Sequence, residues 1–427
     1  MKRARIFVFI FLFFSSAASL YAEKIEAPKK TLNDIIDGSF EWRLYPYFQR
    51  YRGDKQVVTE GVLDLSIKDN IGEYFQYMIS PRAIMDNDYL SAGSINDIVD
   101  NDIKRNIFTI HEWYARYKRD FFVASAGAQI YSWGTADIFN PTDYLNPRDF
   151  TDFIDNEKIA VPSAALTLFR GNWKADFIVI PVFTPSRLPL FDTRWSPVPE
   201  NFPLTINDRQ LPKRSGDDVQ FATRIGATLA GWDFSMNYFD GIETVPAGLI
   251  STPIPNSVTP IYDKVRVWGG DFSKAIGVFE AHGEAAYFNR DNKDRDDLLQ
   301  YILGFNYTAN DIISTHDLKV TFEYAREETI RRGDNTGRYI NLDLSHVFRN
   351  SLMAKFTYEF NDRMNFKIGT IYNINHEDYL IQPKFCFKPR DNWEVELGFD
   401  ILSGDSDTLF GRYSKNDRGF IKTTLTF

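Results

Sequence analysis

His282 lies between Glu280 and Glu284 at alternate positions, so on an extended strand all three side chains project to one side. An imidazole flanked by carboxylates is an arrangement for general-base chemistry. On a strand lining an enclosed polar space, the same residues read as a hydrogen-bonding ladder. The remaining histidines, His111, His316, His346 and His376, are scattered, and their spacing suggests no metal cluster. Asp405 and Asp407 have the first spacing of a calcium loop, but the glycine and the terminal glutamate are misplaced. No Gly-x-Ser-x-Gly elbow supports a serine hydrolase. Neither a metal nor a cofactor is expected, and no enzyme activity. Cys386 is the single cysteine, which excludes an intrachain disulfide; it shares parity with Lys384 and Lys388.

The most distinctive segment is residues 133–158. It carries Asn140-Pro141-Thr142-Asp143 and Asn146-Pro147-Arg148-Asp149, two Asn-Pro turns six residues apart. Proline fixes φ and keeps the preceding residue out of helix, and asparagine caps its own turn. The segment is therefore stiff. Ile138, Phe139, Tyr144, Leu145 and Phe150 would be odd in a freely solvated loop and predict packing against an inner wall. Asp137, Asn140, Asp143, Asn146, Arg148 and Asp149 are the candidate residues of a constriction.

The elements that position these residues read as strands. Trp393, Val395, Leu397, Phe399 and Ile401 alternate with Glu394, Glu396, Gly398 and Asp400, and similar period-two runs recur along the chain. Segments of about 9–12 residues suit tilted membrane strands. A helix would scatter the carboxylates over every face. The polar parity supplies Arg224, Glu280, His282, Glu284, Lys319, Glu323, Lys355, Lys384, Lys388, Glu394, Glu396 and Asp400 to a mixed lining with no strong charge preference. The enclosed space is expected to be polar. Short turns alternate with long polar connections, and residues 133–158 form the third long one. A direct count gives 19 strands. Barrels with both ends on one side need an even number, so residues 338–360 are read as one protruding strand and the total as 18, with 16 the alternative. The expected fold is an all-β, up-and-down antiparallel transmembrane barrel.

Both ends of the chain fit this reading. Lys2, Arg3 and Arg5 precede the apolar run at residues 6–14 and a small-residue stretch ending at Ala22. This predicts a secretory signal peptide over residues 1–22. A periplasmic lead-in is expected over residues 23–37 and the barrel over residues 38–427. The 37 Phe, 22 Tyr and 8 Trp suit interfacial girdles. Net charge is −9, and −12 without the three cations of residues 1–22, which disfavours nucleic acid as a partner. Ile421, Thr423, Leu425 and Phe427 share one parity, and Lys422, Thr424 and Thr426 the other. This ending resembles the closing strand of bacterial outer-membrane barrels, with Phe427 as the assembly signal. Outer-membrane lipid and the barrel-assembly machinery are the partners it implies, in a Gram-negative outer membrane.

The loop also carries a family resemblance. Trp133-Gly134-x-x-Asp137, followed by the two Asn-Pro-x-Asp turns, resembles a proteobacterial family of outer-membrane barrels catalogued as a domain of unknown function. The run from Gly404 through Asp405, Ser406, Asp407, Thr408, Leu409 and Phe410 to Gly411 is similar to the family's last loop. The resemblance implies a porin-like channel for small or amphipathic molecules, serving an inner-membrane exporter of apolar compounds. This chain is shorter than many in that family, with compact loops. An outer-membrane enzyme acting on lipids at the external rim, or a closed structural barrel, remains an alternative.

Overall fold

Alternation leaves each strand with one apolar and one polar face, and a sheet closed on itself removes the unpaired edges. The computed structural model describes residues 35–51, 54–88, 90–91, 99–198, 203–212, 218–252, 254–313, 316–334, 337–341 and 349–427. Eighteen strands form one antiparallel sheet. They are β1 Ile36–Pro46, β2 Val57–Ile71, β3 Phe75–Asp86, β4 Phe108–Arg119, β5 Phe122–Gln129, β6 Val161–Arg170, β7 Trp173–Ile180, β8 Gln220–Leu229 and β9 Trp232–Ile242. The second half comprises β10 Lys264–Ile276, β11 Phe279–Arg290, β12 Asp297–Ile313, β13 His316–Arg331, β14 Ser351–Asn361, β15 Met364–Asn373, β16 Asp378–Arg390, β17 Trp393–Ser403 and β18 Arg418–Thr426. Each strand pairs with the next in sequence, and β18 pairs with β1 from Ser39↔Thr426 to Leu44↔Ile421. The barrel is closed. The expected signal peptide lies outside the described residues, as does most of the expected lead-in. β1 opens at Ile36, just before the expected boundary.

One end carries tight turns. Ala230 and Gly231, with φ of 51° and 76°, make the two-residue turn between β8 and β9. Positive φ at both positions matches the twist of the flanking strands. The long connections lie at the other end, and residues 130–160 are the third of them, here called loop 3. Three of the long connections also pair among themselves: Thr205–Ile206, Ser257–Ile261, Ala247–Ile250 and Tyr339–Asn341 make a small separate sheet.

That sheet corrects the reading of residues 338–360 as one strand. Tyr339–Asn341 pairs with Ala247, Gly248 and Leu249, and the barrel strand begins only at Ser351. The break is held by Asn350. Its carbonyl accepts from Ile374 N at 2.8 Å, and its side chain accepts from Tyr324 Oη at 2.7 Å. The total of 18 stands, but the surplus segment belongs to the loops.

The outer face is apolar. Leu397 and Phe399 are about half exposed on it, while Gly398, Asp400 and Leu402 are buried on the opposite face. Tyr238, Trp268 and Tyr287 stack in register across β9, β10 and β11, with ring centroids 5.5 and 5.9 Å apart. Phe279 and Tyr307 pair at 5.1 Å beside the tight turns. Such rows are the aromatic girdles of a membrane barrel. Pro383 pairs with Ile368 on β15, while its ladder to β17 lapses between Ile381 and Lys384 and resumes unshifted. The missing N–H therefore falls on the β17 side.

The interior departs from the expectation of a uniformly polar space. Ile178, Ile180, Ala222, Phe239, Val265 and Val267 form a buried apolar cluster with Trp133 and Leu145 of loop 3. These strand residues occupy the inward parity toward the loop end, where the loop's own apolar groups need a surface to cover.

Candidate functional site

Loop 3 is shaped by its two asparagines. Asn140 Oδ1 accepts from Thr142 N at 3.2 Å and from Thr142 Oγ1 at 3.1 Å, forming a side-chain turn. Asn146 pins the loop's neck: its Oδ1 accepts from Tyr131 N at 2.7 Å, and its Nδ2 donates to Ile159 O at 2.8 Å and Gln129 O at 3.1 Å. Arg148–Asp149 and Glu157–Lys158 pair as a two-residue antiparallel ladder. Asp143 gathers Lys158 at 2.7 Å and Arg148 at 3.2 Å, so Arg148 is ion-paired within the loop.

The first half of the loop is held by wall acceptors on β9, β11 and β13. Glu284 accepts from the backbone N–H groups of Thr135 and Ala136 and from Thr142 Oγ1 at 2.9 Å. Glu323 accepts from Asp137 N at 2.7 Å, and Tyr144 Oη donates to Asn237 Oδ1 at 2.6 Å. Phe139 packs beside Ile302, Ala325 and Met353, while Tyr144 meets Phe239 at 5.6 Å.

The second half reverses the polarity. Its carboxylates meet cations of the remaining wall. Asp155 takes Lys422 at 3.0 Å and Tyr45 Oη at 2.7 Å. Asp152 binds Arg418, and Glu157 binds Arg82 and, at 3.4 Å, Arg43. Asp149 binds Arg187 and, at 2.9 Å, Arg105, both from neighbouring loops. Loop 3 is thus tied to strands on two sides of the barrel, β9 to β13 and β18, β1 and β3.

Three loop carboxyls, Asp149, Asp155 and Glu157, are held ionised. Burial would raise each of them, but the cations outweigh it. Arg105 and Arg187 keep Asp149 well below the usual carboxylate range, and Lys422 and Arg418 do the same for Asp155. Arg82 and Arg43 bring Glu157 to about 2. Their folded pKa lies below the unfolded value of about 4. The stabilisation is therefore complete above that value and is lost as pH falls through the folded pKa. The second half of loop 3 is expected to stay attached from pH 7 down to about 4 and to detach only as pH approaches 2. Limited proteolysis of residues 149–157 across that range checks this, and cleavage setting in already at neutral pH would contradict it.

Arg224 pairs with Asp271 at 3.1 Å, Lys384 with Glu396 at 3.2 Å and Asp400 with Arg418 at 2.6 Å. Lys319–Glu359 and Lys388–Glu394 are more exposed pairs toward the tight turns. The ladder of Glu280, His282 and Glu284 does not form. His282 Nε2 instead meets Glu323 Oε1 at 3.1 Å. Same-face neighbours along one strand stand about 6.5–7 Å apart. Across the sheet, His282 is in register with Gly304, and Gly304 with Glu323. The glycine leaves room for the two side chains to meet above it. Asp137 completes a group with them, one ligand atom of each lying within 4.8 Å of the others.

The sequence reading missed Arg418, Lys422, Asp152, Asp155 and Glu157 as tethers. A signal was present: Arg418 and Lys422 share the inward parity of the closing strand, and Asp152, Asp155 and Glu157 form an acidic run in loop 3. At the seam, Phe427 exchanges backbone hydrogen bonds with Gly38 at 2.8 and 2.9 Å. Between loop 3 and the wall lies a cavity of about 680 Å³, bordered by Phe139, Tyr144, Phe288, Arg148, Arg290 and Gln300.

A closed antiparallel sheet of 18 strands, apolar outside and charged within, defines a transmembrane β-barrel. No protein-family model matches the chain, and neither does any curated protein. Among solved structures it is similar to Wzi, a carbohydrate-binding outer-membrane barrel involved in group 1 capsule assembly in Escherichia coli. That match has 9% identity, 91% of this chain and 84% of that one covered, and a TM-score of 0.49. It is also similar to Salmonella typhi OmpF, at 9% identity, 93% and 100% coverage and a TM-score of 0.47. A mutant of the Rh. blastica porin matches at 9% identity, 92% and 99% coverage and a TM-score of 0.40.

Proposed function

We propose that the protein is an outer-membrane channel for passive passage of small or amphipathic molecules, with loop 3 setting the narrowest part. The supporting observation is the tethering of loop 3 to both sides of the barrel, which leaves a cavity with aromatic and guanidinium borders beside it. A solute with an apolar body and a polar end suits that lining. The apolar outer face calls for outer-membrane lipid and for the barrel-assembly machinery. Service to an inner-membrane exporter rests on the family resemblance of residues 133–149 and of the last loop from Gly404 to Gly411. The reading assigns no catalysis.

Conductance in planar bilayers tests it. The intact chain is expected to conduct weakly, and a variant lacking residues 133–158 several-fold more. A closed structural barrel would conduct in neither form, and equal conductance in both would remove loop 3 from the path.

A further inference from the structure

We propose that Asp137, His282 and Glu323 form a binding site for a divalent transition-metal ion, Zn²⁺ by the chemistry of its ligands, which bolts loop 3 to the barrel wall. One nitrogen and two carboxylates suit zinc, and three protein ligands leave a fourth position for water. The ligands come from three separate parts of the fold: loop 3, β11 and β13. Binding therefore adds a cross-link that no strand pairing supplies.

Three observations carry the site. The first is proximity, with one ligand atom from each residue inside a 4.8 Å group. Zinc at about 2.0–2.2 Å from each ligand sets them roughly 3.3–3.6 Å apart. His282 and Glu323 already stand at 3.1 Å. Asp137 is exposed on loop 3 and is the group that closes the remaining distance.

The second is burial without full satisfaction. The His282 and Glu323 side chains are wholly buried, yet His282 Nδ1 has no hydrogen-bond partner among the described residues. A buried polar atom left unpaired carries a desolvation penalty. Glu323 is the ring's hydrogen-bond partner at Nε2, and a metal on that nitrogen takes the position between the two.

The third is the space made for the pair. A Cβ on Gly304 would lie 2.5 Å from His282 Nε2 and 2.7 Å from Glu323 Cγ. Only glycine at this register position lets the two ligands converge. Asp137 also borders the cavity, which gives an ion a route in and water its coordination place. Asn306 Nδ2 donates to Asp137 Oδ2 at 2.6 Å and orients that carboxylate from outside the group, the usual role of an outer-shell partner.

The test is made on the full chain, folded in detergent and stripped of metal. Zn²⁺ is titrated calorimetrically, and Co²⁺ binding is followed by its visible absorption. One ion per chain is expected, with a cobalt spectrum of low coordination number. His282→Ala and Gly304→Val should abolish both signals. Asp137→Asn guards against misfolding. It keeps the backbone N–H that Glu323 accepts and an oxygen for Asn306, and it should still weaken binding at least about tenfold. Zn²⁺ should also slow proteolysis of loop 3 in the intact chain and not in Asp137→Asn. Absence of stoichiometric binding to the intact chain, or equal binding by the intact chain and Asp137→Asn, would overturn the site. None of these readouts depends on conduction, so the channel reading stands or falls separately.

Discussion

Arg418→Ala is expected to destabilise the barrel by about 3–5 kcal/mol, the typical result of removing one partner from a buried ionic network. Arg418 is fully buried. Its Nε meets Asp400 at 2.6 Å, its Nη1 donates to Tyr47 Oη at 3.0 Å, and Asp152 of loop 3 binds the same guanidinium. Its carbon lies 4.2 Å from the centroid of the Tyr45 ring. Alanine would leave Asp400, itself buried, and Asp152 without their common cation. The position also matters. Arg418 opens the last strand, at the seam where β18 meets β1, and it bridges to Tyr47 there. Two failures are therefore expected together: a lower melting temperature and release of residues 149–157 to protease. Arg418→Lys should recover little, because an ammonium cannot span Asp400 and Asp152 as the planar fork does. A melting temperature unchanged by Arg418→Ala would show that the seam does not depend on this network.

Much of the barrel was legible because its two solvents differ. With lipid outside and charge within, a period of two survives along β8, β12, β13 and β17, and one polar set stays on one face. In the closing strand the two parities likewise separate: Lys422 meets Asp155 of loop 3, while Ile421, of the other parity, pairs with Leu44. The alternation loses its meaning where loop 3 enters. Ile178, Ile180, Val265 and Val267 lie on the inward parity, yet they cover Trp133 and Leu145. An inward apolar residue looks like a misplaced one until its cover is known. The segment at residues 338–360 failed for a related reason. Tyr339–Asn341 has strand-like residues, but its partner is Ala247–Leu249 in another loop, and nothing local distinguishes that partner from a barrel strand.

The candidate site was legible residue by residue and not as a set. Asn140, Asn146 and Arg148 act within the loop through turns and a short-range ion pair, which local chemistry dictates. His282, Gly304 and Glu323 lie on three strands, and their meeting depends on register. Shifting one strand by a single residue turns its side chains to the other face. Register in a long hairpin is set by turns and packing outside the strand itself, so spacing in the sequence could not bring Glu323 to His282.

Leu397→Arg is expected to cost roughly 2–4 kcal/mol if the site lies near the membrane midplane, and less toward either interface. Leu397 is 45% exposed on the outer face and pairs with Ile421 on β18. Lipid cannot solvate a guanidinium there, and the reach needed to bring it to a headgroup layer is greatest from the midplane. The neighbouring position faces the other way. Glu396 meets Lys384 at 3.2 Å and accepts from Cys386 Sγ at 3.3 Å inside the barrel. Lys384 remains about a third exposed, so Glu396→Gln leaves a cation that water can still reach, at a cost of about 1 kcal/mol or less. Denaturant unfolding from lipid vesicles compares the two variants directly. A large effect at Leu397 beside a small one at Glu396 follows from the face assignment. Equal effects would mean that β17 presents both faces to the same medium, which a membrane-spanning barrel strand cannot do.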